Sequence, residues 1–325
     1  MTSWVAIIAT FACAWATLAL ALRAGWAARL ALDAPNARSL HLRPTPRAGG
    51  LLTLPWALAA GSLLAGEYRV PIVLAAALCA FSFIDDRAGL PAGLRLLVHL
   101  GLSATAMYLT DASGWPLVIA LTLALTWMVN LFNFMDGADG LAGGMAAIGF
   151  AACGAAAAAA GDGDLARLSF CVTAAASAFL AFNFPPARIF MGDAGSTTLG
   201  FLAGALGILG WQRGVWPAWF SVLVFLPFIA DATATLIRRA LRGERLWQAH
   251  REHCYQKLVR MGWPHRRLAI AAYILMAACA GGALALRNAP VPVQVAGLSA
   301  AVLIHAAIMI ATGVKWRASQ GRPGQ

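Results

Sequence analysis

The segment Pro116 to Gly140 reads PLVIALTLALTWMVNLFNFMDGADG, an uncharged apolar run that breaks off into asparagines, aspartates and glycines. As an α-helix rising about 1.5 Å per residue, Pro116 to Asn133 would reach roughly 27 Å, close to the roughly 30 Å of a bilayer's hydrocarbon core. Similar runs recur along the whole chain. Hydrophobic residues fill 61% of the 325 positions and charged residues only 11%, against about 25% charged in an ordinary soluble domain. The fold class is therefore all-α: a polytopic integral membrane protein. No polar stretch is long enough for a separate soluble domain, so 1–325 reads as one membrane-embedded domain.

Hydropathy and turn residues place about eleven spans: 4–22, 50–66, 70–84, 92–110, 116–133, 141–160, 165–183, 196–211, 216–237, 268–287 and 291–313. The first lacks a basic leader, since Arg23 follows the apolar run, so it reads as a retained span rather than a cleaved signal. The alanine tract 155–160 needs no special account, because Ala forms helices well and lets them pack closely. The six cysteines show no CxxC or paired spacing, which argues against a zinc site or disulfide framework.

Basic residues set the expected orientation. Of 24 Lys and Arg, 20 fall in or beside the linkers after odd-numbered spans and in the C-terminal tail. The other four are Arg69, Arg167, Arg213 and Arg287. Positive-inside then puts the N-terminus outside and the C-terminus in the cytoplasm. The net charge of +11 suits anionic lipid headgroups and calls for no nucleic acid. Nine of 13 carboxylates lie on the same side, which makes the cytoplasmic face the working one.

Four polar segments and one acidic pair gather there. Asp85 and Asp86 end the third span, where a carboxylate opposes the helix dipole and is costly within lipid. Solvated helix-end charges are the blander account. Asn130, Asn133, Asp136 and Asp139 follow the fifth span at steps of three, which one narrow helix face cannot gather. Gly137 and Gly140 let the backbone turn, so the four can converge on one cavity, although Asp139 could simply cap the next helix. In Asn183 to Ser196 (NFPPARIFMGDAGS), Gly192 and Gly195 let Asp193 approach a metal or phosphate closely. Asp33 to Gly50 (DAPNARSLHLRPTPRAGG) offers Arg38, His41 and Arg47 to phosphate oxygens. His250 to Lys257 (HREHCYQK) reads more readily as a phosphate or sugar clamp than as a metal site. His99 and His305 stand alone within spans and read as packing histidines. Carboxylates, asparagines and basic groups on one face fit magnesium-assisted phosphoryl transfer.

With these residues assembled, the chain resembles the polyprenyl-phosphate N-acetylhexosamine-1-phosphate transferases, a group including phospho-MurNAc-pentapeptide translocases and O-antigen-initiating enzymes. The likeness runs from Asp33 to about Lys257 through PTPRAGG, FIDD, NLFNFMDGADGLAGG, FMGDAGS and HREHCYQ in matching order. It implies that an undecaprenyl phosphate oxygen attacks the β-phosphorus of a UDP-N-acetylhexosamine, releasing UMP. It implies Mg²⁺, or Mn²⁺ in its place, on Asp193 with Asn133 as second ligand. Asp85, Asp86 and Asp193 form the expected catalytic set, with Asp85 favoured for positioning and metal organisation over base catalysis. Asn130, Asp136, Asp139, Arg188, His250, His253 and Lys257, with the loop cations, form the expected substrate-binding set. The bacterial inner membrane is the implied location, and the resemblance leaves room for a homodimer. No run of three consecutive histidines occurs, so HxxHxYQ points to the O-antigen branch, with GlcNAc, FucNAc or QuiNAc as sugar. The competing readings are the MurNAc-pentapeptide transferase and, outside the class, a secondary transporter, whose polar site should lie at the midplane. A CDP-alcohol phosphotransferase is disfavoured because LAGGM follows DGADG.

Overall fold

The computed structural model describes residues 2–35, 43–110, 114–245, 248 and 250–320; Arg38 and His41 fall outside them. The architecture is all-α and polytopic, as lipid requires of a chain whose backbone groups must pair internally. Its helices are α1 (Thr2–Arg23), α2 (Trp26–Leu30), α3 (Gly49–Leu64), α4 (Arg69–Ala88), α5 (Ala92–Leu109), α6 (Trp115–Met135) and α7 (Leu141–Ala160). There follow α8 (Gly163–Asn183), α9 (Asp193–Gln212), α10 (Trp219–Val224), α11 (Leu226–Leu241), α12 (Cys254–Arg260), α13 (His265–Leu286) and α14 (Val291–Gln320). Among the described residues, nine helices are long and apolar enough to cross a membrane.

Two of the eleven expected spans differ from that pattern. The span expected at 50–66 is α3, with 16 residues. The span expected at 216–237 is broken at Phe225 into α10 and α11. Pro227 has no N–H to continue the hydrogen-bond ladder, so the helix restarts there. The last helix also runs to Gln320, beyond the expected 313.

Helix α9 forms the centre, buried along almost its whole length. Its glycines make that position possible. A Cβ on Gly200 would stand 2.5 Å from the Met128 carbonyl oxygen in α6, so only hydrogen fits at this crossing. Outer helices present Ile8, Leu97, Ile119 and Leu303 outward, as side chains facing acyl chains should.

The described ends of the Asp33–Gly50 segment are tied into the fold. Leu32–Asp33 (β1) pairs antiparallel with Thr45–Pro46 (β2). The strand is then met by the segment before α9: the Phe190 N–H donates to the Pro46 carbonyl at 2.7 Å, and those of Gly49 and Gly50 donate to Phe190 and Met191 at 2.9 and 2.8 Å. This contact brings Gly50 against Gly195 so closely that a Cβ on Gly50 would lie 2.1 Å from the Gly195 Cα. Backbone cannot yield as a side-chain tip can. Gly50→Ala is therefore expected to destabilise the detergent-solubilised protein by about 1–3 kcal/mol and to displace the start of α9. Gly101→Ala, whose Cβ would meet nothing within 4 Å, should leave thermal stability unchanged or raised. Equal melting of the two variants would refute the close approach.

Candidate active site

The start of α9 and the end of α4 meet at a knot of carboxylates and arginines. Asp86 is tied up by backbone: its carboxylate accepts the N–H groups of Asp193 and Ala194, each at 3.1 Å. It thereby caps α9 from α4 and satisfies donors that a helix start leaves open. Asp85 accepts the Leu90 N–H at 2.8 Å and lies 3.4 Å from Arg95. Arg95 also reaches Asp193 at 3.5 Å. Arg47 hydrogen-bonds Asp193 and lies 3.0 Å from Asp86. Burial works against the Arg47 charge, but Asp193 and Asp86 more than offset it and hold the guanidinium above its ordinary value.

The four polar residues in and just after the last turns of α6 do not all reach one place. Asn130 and Asn133 sit on α6 and line the central cavity. Asp136 ends the helix outside the lining, where burial pushes its carboxyl well above the usual range despite Arg47. Asp139 turns away altogether. It accepts the Ala187 N–H at 3.0 Å and lies 3.1 Å from His265 Nδ1, which ties the α6–α7 turn to α13. Gly140, at φ 77°, makes that reversal and is itself the residue before α7, so Asp139 does not cap the helix either. Arg188 stacks on Phe182 at 4.7 Å and donates to the Ala181 carbonyl, outside the cavity lining.

The HxxH segment is set by a residue that the sequence reading passed over. Asp231, inside the apolar run of α11, accepts the Cys254 N–H at 2.8 Å and the Tyr255 N–H at 3.3 Å. It caps α12 and stands 3.6 Å from His253 Nδ1. Tyr255 OH donates to the Phe134 carbonyl at 2.9 Å, fastening α12 to the end of α6. His250 and His253 then lie with ring centres 4.9 Å apart, and both line the cavity. Lys257 does not; it faces a different one.

The central cavity, about 730 Å³, collects Asp85, Asp193, Asn130, Asn133, Arg47, Arg95, His250 and His253 within one wall. The packing expectation for His99 is corrected in one respect: it too lines this cavity, and its Nδ1 has no partner among the described residues. His305 is the satisfied core histidine expected, with Nδ1 2.8 Å from the Ala301 carbonyl. Arg95 and Asp231 were findable as ionisable residues in or beside spans, which default to function.

For a metal, the donor chemistry fits Mg²⁺. Asp193 and Asn133, both oxygen-bearing, line the cavity, and Asn133 commits its Nδ2 to Ser196 at 3.2 Å while its side-chain oxygen has no hydrogen-bond partner among the described residues. Among the described residues no three His, Cys, Asp or Glu form a metal cage. Mg²⁺ needs none, since it takes one or two protein oxygens and fills its shell with phosphates and water.

Burial, then the neighbouring His253 and Arg239, push the His250 imidazolium down to about 4, so the ring is neutral at pH 7. An unfolded His takes its proton near 6.5. The fold therefore gains from neutral His250 above about pH 6.5, and that gain is lost as pH falls toward 4. His250→Asn should flatten the decline in melting temperature between pH 6.5 and 4.5. An unchanged slope would refute the assignment.

Residues 68–211 match the profile of glycosyl transferase family 4. Over 287 residues the chain is 30% identical to the probable undecaprenyl-phosphate N-acetylglucosaminyl 1-phosphate transferase of Bacillus subtilis (strain 168), covering 80% of this chain and 78% of that protein. The chain belongs to glycosyl transferase family 4. A second relative is the decaprenyl-phosphate N-acetylglucosaminephosphotransferase of Mycolicibacterium smegmatis, 31% identical over 86% of this chain and 79% of its own. The phospho-N-acetylmuramoyl-pentapeptide-transferase of Moorella thermoacetica is 30% identical over 70% and 72%. The family 4 match encloses Asp85, Asp86, Arg95, Asn130, Asn133 and Asp193; Arg47, Asp231 and the two histidines lie outside it.

Proposed function

We propose that this protein transfers an N-acetylhexosamine 1-phosphate from a UDP-sugar to undecaprenyl phosphate, releasing UMP and leaving an undecaprenyl-diphosphate sugar. The observation that carries the reading is the single cavity whose wall holds Asp85, Asp193, both asparagines, Arg47, Arg95 and both histidines. The attacking lipid phosphate, with a second pKa of about 6, is mostly dianionic at pH 7. The protein's work is then to align it with the β-phosphorus and to offset charge on the phosphoryl oxygens. Arg47 and Arg95 bring positive charge to that point, and the carboxylates of Asp85 and Asp193 orient them. Asp86 positions Asp193 through the α9 backbone. His253, held by Asp231, and His250 beside it clamp the diphosphate or sugar. Mg²⁺, or Mn²⁺ in its place, on Asp193 and Asn133 would supply further neutralisation of phosphate charge when bound.

The finer reading is initiation of O-antigen or related cell-envelope glycan synthesis with GlcNAc, FucNAc or QuiNAc. HxxHxYQ and the two relatives named for N-acetylglucosamine support it. The Moorella thermoacetica relative favours phospho-MurNAc-pentapeptide transfer instead. UMP release by purified protein with undecaprenyl phosphate and a panel of UDP-sugars decides between them. Turnover with UDP-MurNAc-pentapeptide alone would overturn the finer reading, and failure to release UMP from any of the UDP-sugars would overturn the function.

The site is proposed to face the cytoplasm from the bacterial inner membrane, with the N-terminus outside, on the strength of the basic asymmetry. Single cysteines in 238–267 should resist impermeant maleimide on intact cells, while those in 111–116 should react. The reverse pattern would invert the topology.

A further inference from the structure

Across α11 and α12 from the reaction cavity lies a second cavity of about 670 Å³, and the two share no lining residue. Leu236 faces the first, whereas Ala234 and Arg238 face the second. On α12, Gln256 and Lys257 divide in the same way.

Six cations and two carboxylates line the polar end of this second cavity. The carboxylates are already engaged: Glu244 and Glu252 pair with Arg242 and, from behind, with Arg239. Among the described residues, Arg238, Lys257, Arg260 and Arg317 have no carboxylate partner. Arg238 donates to the Ala234 carbonyl and to Thr235 Oγ1, both at 3.1 Å, and Arg260 stacks on Trp316 at 4.5 Å. Lys257 is the most telling. It is 8% exposed, and its ammonium has no hydrogen bond or ion pair among the described residues. Burial and the nearby Arg238 depress its pKa by more than Glu252 and Asp231, neither of them paired with it, raise it.

The opposite wall is apolar. Ala306, Met309, Ile310 and Gly313 follow helical spacing on α14, and Ile310 is 67% exposed on the surface that meets lipid. A soluble phosphate would leave this strip unused, whereas an amphiphile would use both ends.

We propose that this cavity holds the headgroup phosphate of an anionic membrane phospholipid, with Lys257 and Arg317 on the phosphate and an acyl chain along α14. The lipid would buttress the face of α12 that turns away from Gln256, outside the reaction cavity.

The test titrates the purified full chain, in neutral detergent, with phosphatidylglycerol or phosphatidylcholine of identical acyl chains and counts retained lipid by native mass spectrometry. Wild type should prefer phosphatidylglycerol by about thirtyfold or more. Lys257→Met with Arg317→Gln should remove roughly thirtyfold of that preference, and Arg317→Gln alone, at an exposed position, about fivefold. The charge-keeping pair Lys257→Arg and Arg317→Lys should retain most of it. Equal binding of the two lipids, or a preference that survives both neutralising variants, overturns the proposal. So does displacement of phosphatidylglycerol by equimolar undecaprenyl phosphate, which would mark a substrate-lipid site, or by equimolar inorganic phosphate.

Discussion

Asp193→Asn is expected to lower UMP release by about 10³-fold, the scale of losing one preorganised electrostatic contact in a catalytic site, while the protein still inserts and stays monodisperse. Asp193 begins α9, lines the central cavity, and is the only described carboxylate contacted by both Arg47 and Arg95. The substitution removes a charge at the point where two cations and the proposed metal converge. It leaves Arg47 its contact with Asp86 and leaves Asp86 capping α9, so the scaffold should survive. Turnover is measured against Mg²⁺ concentration with an EDTA control. Activity that persists through both chelation and the substitution would sink the assigned role. Asp86→Asn should behave differently, with a fall in melting temperature accompanying the loss of rate.

Asp85→Asn should cost roughly 10²-fold in kcat at every pH from 6 to 9. One Asp85 oxygen is spent on the Leu90 N–H and the other faces Arg95, which in turn reaches Asp193. That arrangement orients a cation, and hydroxide from solvent cannot restore it. A base would predict otherwise: above a pH of about 6 the lipid phosphate ionises unaided, so the variant should recover. The decisive measurement is the pH–rate profile of the variant against wild type at saturating Mg²⁺ and both substrates. Recovery to within about tenfold above pH 8, a barrier difference of about 1.4 kcal/mol, would restore the base.

Much of this was legible before any coordinates. Hydropathy found the spans because a membrane core permits few other structures, and the order of polar segments brought Asp85, Asn130, Asn133, Asp193 and the histidines into one reading. What stayed hidden depended on partners distant in sequence. Asp231 looks like a stray charge until α12, 23 positions later, docks on it. Asp139 seemed part of a convergent set until His265 and Ala187 claimed it. Lys257 follows Gln256 directly, yet a helical step of about 100° puts the two side chains in different cavities. Asp85 and Asp86 look equivalent on paper; one orients an arginine and the other caps a helix.

The pairing of the Arg47 loop with the start of α9 also bears on how the chain is made. Arg47 and Asp193 are 146 positions apart, with the six helices α3 to α8 between them. A ribosome delivers the loop first, so in a nascent chain Arg47 can meet Asp86 of α4, but its second partner Asp193 and the docking of Gly49 and Gly50 must wait for the start of α9 to emerge. Chains that stall before Asp193 therefore carry an exposed basic loop with no acidic partner from α9. They are the forms that membrane quality control would encounter, and a separately expressed N-terminal half would have its docking surface ready for a C-terminal half supplied in trans.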